Sequence, residues 1–190
     1  MRVMRRGRIP DLSERALENA ALYYLQRFAA SSEQLRRVLR RRVKRAAMAG
    51  AENTDAALPR IEALIARYLE SGLLNDRRFA EAQAESLRRR GTSRQRIRQR
   101  LASKGVTAEH ADAALAELGE RAETGELAAA AALVRRRRLG PCRTSGTRAE
   151  YRQKDLATLA RAGFSLSTTR RVLAAESPEA IERLIRGEED

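Results

Sequence analysis

The fold class this sequence predicts is all-α, an elongated array of three tandem three-helix repeats. Three observations predict it. Ala, Leu, Arg and Glu are the recurrent residues of the 190, whereas Val and Ile are scattered, and no stretch alternates apolar and polar residues long enough to make a sheet. Breakers (Gly50, Pro59, Gly72, Gly91, Gly105, Gly125, Gly140–Pro141, Gly146, Gly163 and Pro178) fall at intervals that suit short helices. The pattern also recurs: Ser31, Leu35 and Leu39 match Ser93, Ile97 and Leu101 at an offset of 62. Leu101, Gly105, Val106, Thr107 and Leu115 match Leu159, Gly163, Phe164, Ser165 and Leu173 at an offset of 58. Units this small bury too little surface to stand alone, so neighbours are expected to stack.

The elements follow in order. Residues 1–10 read as a basic tail, then residues 11–75, 76–123 and 124–190 as three repeats, the last with a closing helix. A first helix is predicted over Leu12–Ala29 with Leu22, Leu25 and Phe28 inward. Ser31 and Gln34 predict a capping box for a second helix carrying Leu35, Val38, Leu39, Val43 and Ala46 on one face. After a long loop from Ala46 to Leu58, Pro59 suits the first turn of a third helix. Ile61, Leu64, Ile65, Tyr68 and Leu69 face inward on it, and Gly72 stops it.

Asp76 is expected to cap the next helix, which holds Phe79, Ala82 and Leu87 and stops at Gly91. Thr92 with Gln95 predicts a box for the helix of Ile97 and Leu101. Thr107 starts a helix with Ala111, Ala114, Leu115 and Leu118. The last repeat runs from Leu127 through Val134, crosses a loop at Gly140–Gly146 and continues through Leu156 and Leu159 to Gly163. A helix from near Ser165 carries Val172 and Leu173, and Ser177–Pro178 opens the last one, with Ile181, Leu184 and Ile185.

Charge is segregated along the chain. The net charge is +14, and an anionic partner, nucleic acid above all, is the default expectation. Residues 34–51 hold Arg36, Arg37, Arg40, Arg41, Arg42, Lys44 and Arg45 and no acid. Residues 86–108 hold Arg88, Arg89, Arg90, Arg94, Arg96, Arg98, Arg100 and Lys104, again without an acid. Residues 127–149 hold Arg135, Arg136, Arg137, Arg138, Arg143 and Arg148, also without an acid. With Arg2, Arg5, Arg6 and Arg8, these segments take 25 of the 39 cations and leave the rest of the chain at −11. All but Lys44 and Lys104 of the window cations are Arg, which pairs bidentately with phosphate or carboxylate. A solvated helix face is the plain alternative.

Several functions are excluded or disfavoured. One Cys and one His build neither a zinc finger nor a disulfide framework, and no metal or other cofactor is expected. No phosphate-cradling P-loop and no dinucleotide fingerprint occur. His110 reads as a helix-surface residue. Cys142 stands beside Arg143, a neighbour able to lower its pKa, but without a partner base; an inert exposed thiol is expected. Glu81/Glu85 and Glu109/Asp112 read as surface pairing. The chain therefore points away from an enzyme. The longest apolar run, Leu127–Val134, has eight residues, against about 20 for a membrane span. A soluble, monomeric, cytoplasmic protein is expected, with a lone thiol that suits a reducing compartment. Aromatic platforms for bases are scarce, because Tyr23, Tyr24, Phe28, Tyr68, Phe79, Tyr151 and Phe164 mostly fall at core-like positions. Any direct nucleic-acid binding is expected to be through phosphates, salt-sensitive and tolerant of sequence.

The stretch Tyr68-Leu69-Glu70-Ser71-Gly72-Leu73-Leu74-Asn75-Asp76-Arg77-Arg78-Phe79-Ala80 resembles the signature of the RecX regulators of the RecA recombinase. Arg89-Arg90-Gly91-Thr92-Ser93, Ile97 and Leu101-Ala102-Ser103-Lys104-Gly105-Val106 are similar to it as well. Arg161-Ala162-Gly163-Phe164 resembles the third repeat's Arg-Arg-Gly-Phe, with Ala162 in place of the second Arg. The resemblance spans about Leu12 to Ile185 and is weakest in the atypical first repeat. Leu74, Asn75, Asp76, Phe79, Ala80, Gly105, Gly163 and Phe164 read as fold residues: Phe79 as an anchor between repeats one and two, Gly105 and Gly163 as left-handed helix ends.

The resemblance implies a protein that modulates RecA, usually inhibiting it, by lying along the groove of the RecA–ssDNA filament, in DNA repair, recombination and SOS control. It also implies DNA binding, to single or double strands without sequence preference. The candidate RecA or DNA contacts are Arg36, Arg37, Arg40, Arg41, Arg88, Arg89, Arg90, Arg94, Arg98, Lys104 and Arg135–Arg138. Two other readings stay open: an autonomous DNA-binding or nucleoid-associated protein independent of RecA, and a helical scaffold for an acidic protein.

Overall fold

The computed structural model describes residues 9–52, 54–118 and 122–188. The expected basic tail, with Arg2, Arg5, Arg6 and Arg8, lies outside the described residues except for Ile9 and Pro10. Among the described residues the chain is all-α, with ten helices and no strand. They are α1 (Glu14–Leu25), α2 (Ser32–Met48), α3 (Ala57–Glu70), α4 (Asp76–Arg89), α5 (Arg94–Ser103), α6 (Ala108–Glu117), α7 (Ala122–Arg137), α8 (Arg148–Arg161), α9 (Leu166–Ala174) and α10 (Pro178–Arg186). Two compact units, Met1–Phe79 and Ala80–Asp190, part within α4.

In the first unit, α1, α2 and α3 pack on one another around Leu17, Leu35, Leu39, Ile61, Leu64 and Ile65, all buried. Full burial of such a side chain contributes about 2 kcal/mol. The Ser31–Gln34 capping box forms as expected and starts α2. Helix α1 is shorter than predicted. Ser13 caps it, accepting from the Ala16 amide, and the helix ends at Leu25. Its inner face is Leu17 and Ala21, while Leu22 and Phe28 are exposed. Leu69 is exposed too, because Ile65 and Tyr68 already fill the inner face of α3. The loop expected from Ala46 to Leu58 is short: α2 continues to Met48, a 3₁₀ turn covers Thr54–Ala56, and α3 begins at Ala57, two residues before Pro59.

The start of α4 differs from expectation in an informative way. Asn75, not Asp76, is the cap: its side-chain oxygen accepts from the Arg78 amide at 2.9 Å and its carbonyl from the Phe79 amide at 3.0 Å. Asp76 is then free to reach α2, where its carboxylate accepts from the Ser32 amide at 2.7 Å and the Ser32 hydroxyl at 2.6 Å. Leu74 and Phe79 are buried beside it.

The second unit is centred on α7, which packs against α9 and α10. Its apolar run is the reason: Leu127, Ala129, Ala130, Ala131, Leu133 and Val134 are all buried, as a helix apolar on most sides must be. Leu159, Phe164, Val172 and Ile181 complete this core. Ala80, Leu87, Ile97 and Leu101 are buried as well. The predicted Thr92–Gln95 box does not form. The Thr92 amide donates to the Leu87 carbonyl across Gly91 and so finishes α4. Ser93 takes over as the cap of α5. Gly105 and Gly163 have the expected left-handed backbone, with φ of 78° and 87°.

Two turns of this unit approach a neighbouring helix closely. A Cβ on Gly91 would stand 2.8 Å from the Ala129 carbonyl oxygen and 2.9 Å from the Leu133 amide nitrogen, both backbone atoms of α7. One on Gly163 would stand 2.7 Å from the Ser93 hydroxyl, which donates to the Ala162 carbonyl at 2.6 Å.

Candidate functional site

The three basic windows meet different fates once folded. On α2, Arg36 donates to Glu62 at 3.1 and 2.9 Å and to Glu33 at 2.6 Å. Arg37 pairs with Glu33 and Arg40 with Glu62, each at 2.9 Å. The hydrogen bond from Arg36 holds the Glu33 carboxyl below its ordinary value; partial burial opposes this and Arg37 adds to it. Arg42 donates to the Asp11 carbonyl. Arg41, Lys44 and Arg45 are exposed and make no ion pair among the described residues.

In the second window, Arg88 is mostly buried and pairs with Glu126 of α7, whose carboxylate also accepts from the Arg94 amide at the start of α5. Arg89 pairs with Glu85 at 2.6 Å, and Arg98 pairs with Asp112. Arg90 contributes its carbonyl, which accepts from Arg136 at 2.6 Å. Arg94 and Arg98 face a cavity of about 640 Å³ that Glu126, Ser165, Thr168 and Arg171 also line, so its charge is mixed. Lys104 sits half-buried at the end of α5.

In the third window, Arg135 pairs with Glu182 at 2.8 Å. Arg137 and Arg138 are exposed and make no ion pair among the described residues. Arg143 serves the fold. It donates to the buried Asp155 at 2.6 Å, with its guanidinium 3.9 Å over the Tyr151 ring, while Asp155 accepts from the Gly140 amide at 2.9 Å. Arg148 likewise donates to the Leu173, Ala175 and Glu176 carbonyls, where α9 ends.

Segregation along the sequence is therefore largely undone in space, because Glu33, Glu62, Glu85, Asp112, Glu126, Asp155 and Glu182 fold back onto the windows. In the second unit a cleft keeps its charge. Between α5, α7 and α8 lies a cleft of about 420 Å³ lined by Arg96, Arg100, Arg136, Arg137 and Arg161, with Thr92 and Thr158, and by no acid. Four of these arginines belong to the second and third windows. Arg161 lies outside every window, and its only trace in the sequence is its place two residues before Gly163 at the end of α8.

Cys142 lies in a 3₁₀ turn, half-buried. Burial pushes its thiol above the ordinary value, with the Glu182 charge adding and Arg135 opposing. Arg143, the neighbour able to lower it, is committed to Asp155, which agrees with an inert thiol, although the side chain is half-buried and not exposed. Among the described residues, no group of His, Cys, Asp and Glu is arranged to hold a metal ion, and no helix is long and apolar enough to cross a membrane.

Comparison with known proteins gives consistent results. Residues 75–115, which hold α4, α5 and nearly all of α6, match the family model described as RecX, second three-helix domain. The chain is 47% identical over 158 residues to the regulatory protein RecX of Myxococcus xanthus (strain DK1622), covering 83% of each chain. It is 32% identical over 166 residues to the regulatory protein RecX of Agrobacterium fabrum (strain C58 / ATCC 33970), covering 85% of this chain and 84% of the relative. The crystal structure of RecX from Lactobacillus salivarius shares the fold, with a TM-score of 0.60 at 18% identity over 86% of this chain and 96% of that one.

Proposed function

The chain belongs to the RecX family of regulatory proteins, and from that premise we propose that it regulates the RecA recombinase by binding the RecA–ssDNA filament. Binding opposes filament growth and favours net disassembly, which lowers ATP hydrolysis and strand exchange by RecA, in the service of DNA repair and recombination control. The protein itself hydrolyses nothing and acts as a monomer in the cytoplasm.

The 47% identity to a regulatory protein RecX over most of both chains carries this reading. Charge placement supports it. Arg41, Arg137 and Arg138 are exposed and without an ion pair among the described residues, so they meet an acidic protein surface or a phosphate without first breaking a native pair. Arg36, Arg40, Arg89 and Arg135 contribute field but must exchange partners to make contacts.

Anisotropy of a fluorescent single-stranded oligonucleotide, with and without RecA and a non-hydrolysed ATP analogue, tests this directly. Tighter binding to the RecA-coated strand than to the bare one supports the proposal. Equal binding to both favours the autonomous DNA-binding reading, which the acid-free cleft alone would satisfy.

A further inference from the structure

Arg96 and Arg100 are four residues apart on α5 and so share a face of the helix. Arg136 and Arg137 end α7, and Arg161 ends α8. Four of the five stand in the last turn of a helix, where the exposed carbonyl ends favour a cation. That preference explains one arginine at each helix end. It does not explain why five converge on one cleft with no carboxylate, when Arg88, Arg89, Arg98 and Arg135 beside them are each matched by an acid. The hydrogen bonds the five do make go to neutral groups. Arg96 donates to the Gln99 side chain at 3.1 Å, Arg136 to the Arg90 carbonyl at 2.6 Å and Arg161 to the Ala157 carbonyl at 3.1 Å. Their charge is left uncompensated.

We propose that this cleft is a binding site for clustered phosphate groups. Guanidinium forks match phosphate oxygens in pairs, and the Thr92 hydroxyl at the wall is a further donor, the Thr158 hydroxyl being already donated to the Lys154 carbonyl at 2.7 Å. No aromatic ring lines the cleft, so it grips phosphates and does not stack bases. Two sources supply such a ligand: the backbone of a nucleic acid and a free oligophosphate. The inference rests on the second unit alone and is tested without RecA.

The probes are sodium tripolyphosphate and a fluorescent oligothymidylate, titrated onto the full-length protein at low salt. The cleft variant R96Q/R100Q/R137Q is compared with R15Q/R45Q/R78Q, which removes equal charge from exposed positions of the first unit. The cleft variant is expected to lose on the order of tenfold in affinity for tripolyphosphate, with a shallower salt dependence, and the other variant much less. Tripolyphosphate that displaces the oligonucleotide identifies the nucleic-acid backbone as the occupant. Tripolyphosphate that binds through these arginines without displacing it identifies a free oligophosphate. Equal losses in the two variants, or no binding of either probe by the parent protein, would overturn the site. Helicity and melting temperature accompany the titrations: the cleft variant should melt no lower than its parent, because it relieves like-charge repulsion.

Discussion

The Asp76 carboxylate of α4 accepts two hydrogen bonds from Ser32, at 2.7 Å from its amide and 2.6 Å from its hydroxyl, and so ties the start of α4 to the start of α2. Sixty-two residues beyond Ser32, the Arg94 amide opens α5 and donates to Glu126 of α7 at 3.2 Å. A carboxylate from two helices further along meets the first amide of α2 and of α5 alike, satisfying an orphan N–H and the helix dipole together. Asp76→Ala should destabilise the first unit by about 2 kcal/mol, and Ser32→Ala by about 1 kcal/mol. The double variant should cost less than the sum, because both substitutions remove one interaction. Thermal unfolding of the four proteins checks this.

Gly91 carries two constraints and Gly72 one. Both have positive φ, 70° and 74°, but a Cβ at Gly72 meets nothing within 4 Å, whereas one at Gly91 meets the α7 backbone. Gly72→Ala should cost about 1 kcal/mol, for conformation alone. Gly91→Ala should cost about 3 kcal/mol or more, because α7 must also move away. Similar melting temperatures for the two variants would contradict the close approach.

Arg143 is expected to behave as a core residue. Asp155 is buried, and Arg143→Ala would leave its carboxylate with the Gly140 amide as its remaining hydrogen-bond partner among the described residues, a loss of about 3 kcal/mol. Arg143→Lys should recover part of this, since the charge returns but the planar stacking on Tyr151 does not. Denaturant unfolding of both variants measures the difference.

Cys142 should be slow to react. Its thiol is pushed up by burial and by Glu182, so little thiolate is present near pH 7. Alkylation by iodoacetamide should lag behind a free cysteine at neutral pH, and its rise with pH should be displaced upward relative to a free cysteine. Fast alkylation at pH 7 would contradict this environment.

Much of the helical plan was legible because its signals are local. The Ser31 box, the Thr107 and Ser165 caps and the left-handed Gly105 and Gly163 each act within one turn of the chain. What the sequence could not show depends on neighbours remote in the chain. Asn75 and Asp76 are both competent caps, and only the presence of Ser32 decides which of them caps α4. Phe28 matches the spacing of a buried face, but α1 stops short of it. Charge misleads in the same way. Arg88 stands in a run of three arginines yet is matched by Glu126, 38 residues on, so reversing Arg88, Arg89 and Arg90 together would break a structural pair as well as any interface. The acid-free cleft, conversely, takes Arg161 from outside every basic window.

The most direct measurement of the regulatory role is ssDNA-dependent ATP hydrolysis by RecA while this protein is titrated in, well below one molecule per RecA. RecX-family regulation of the filament predicts a fall at these low ratios, with Arg41→Glu and Arg138→Glu, which leave the native ion pairs intact, weakening the effect. Hydrolysis that stays constant until the protein saturates the DNA itself would contradict it, and would mean simple competition for the strand.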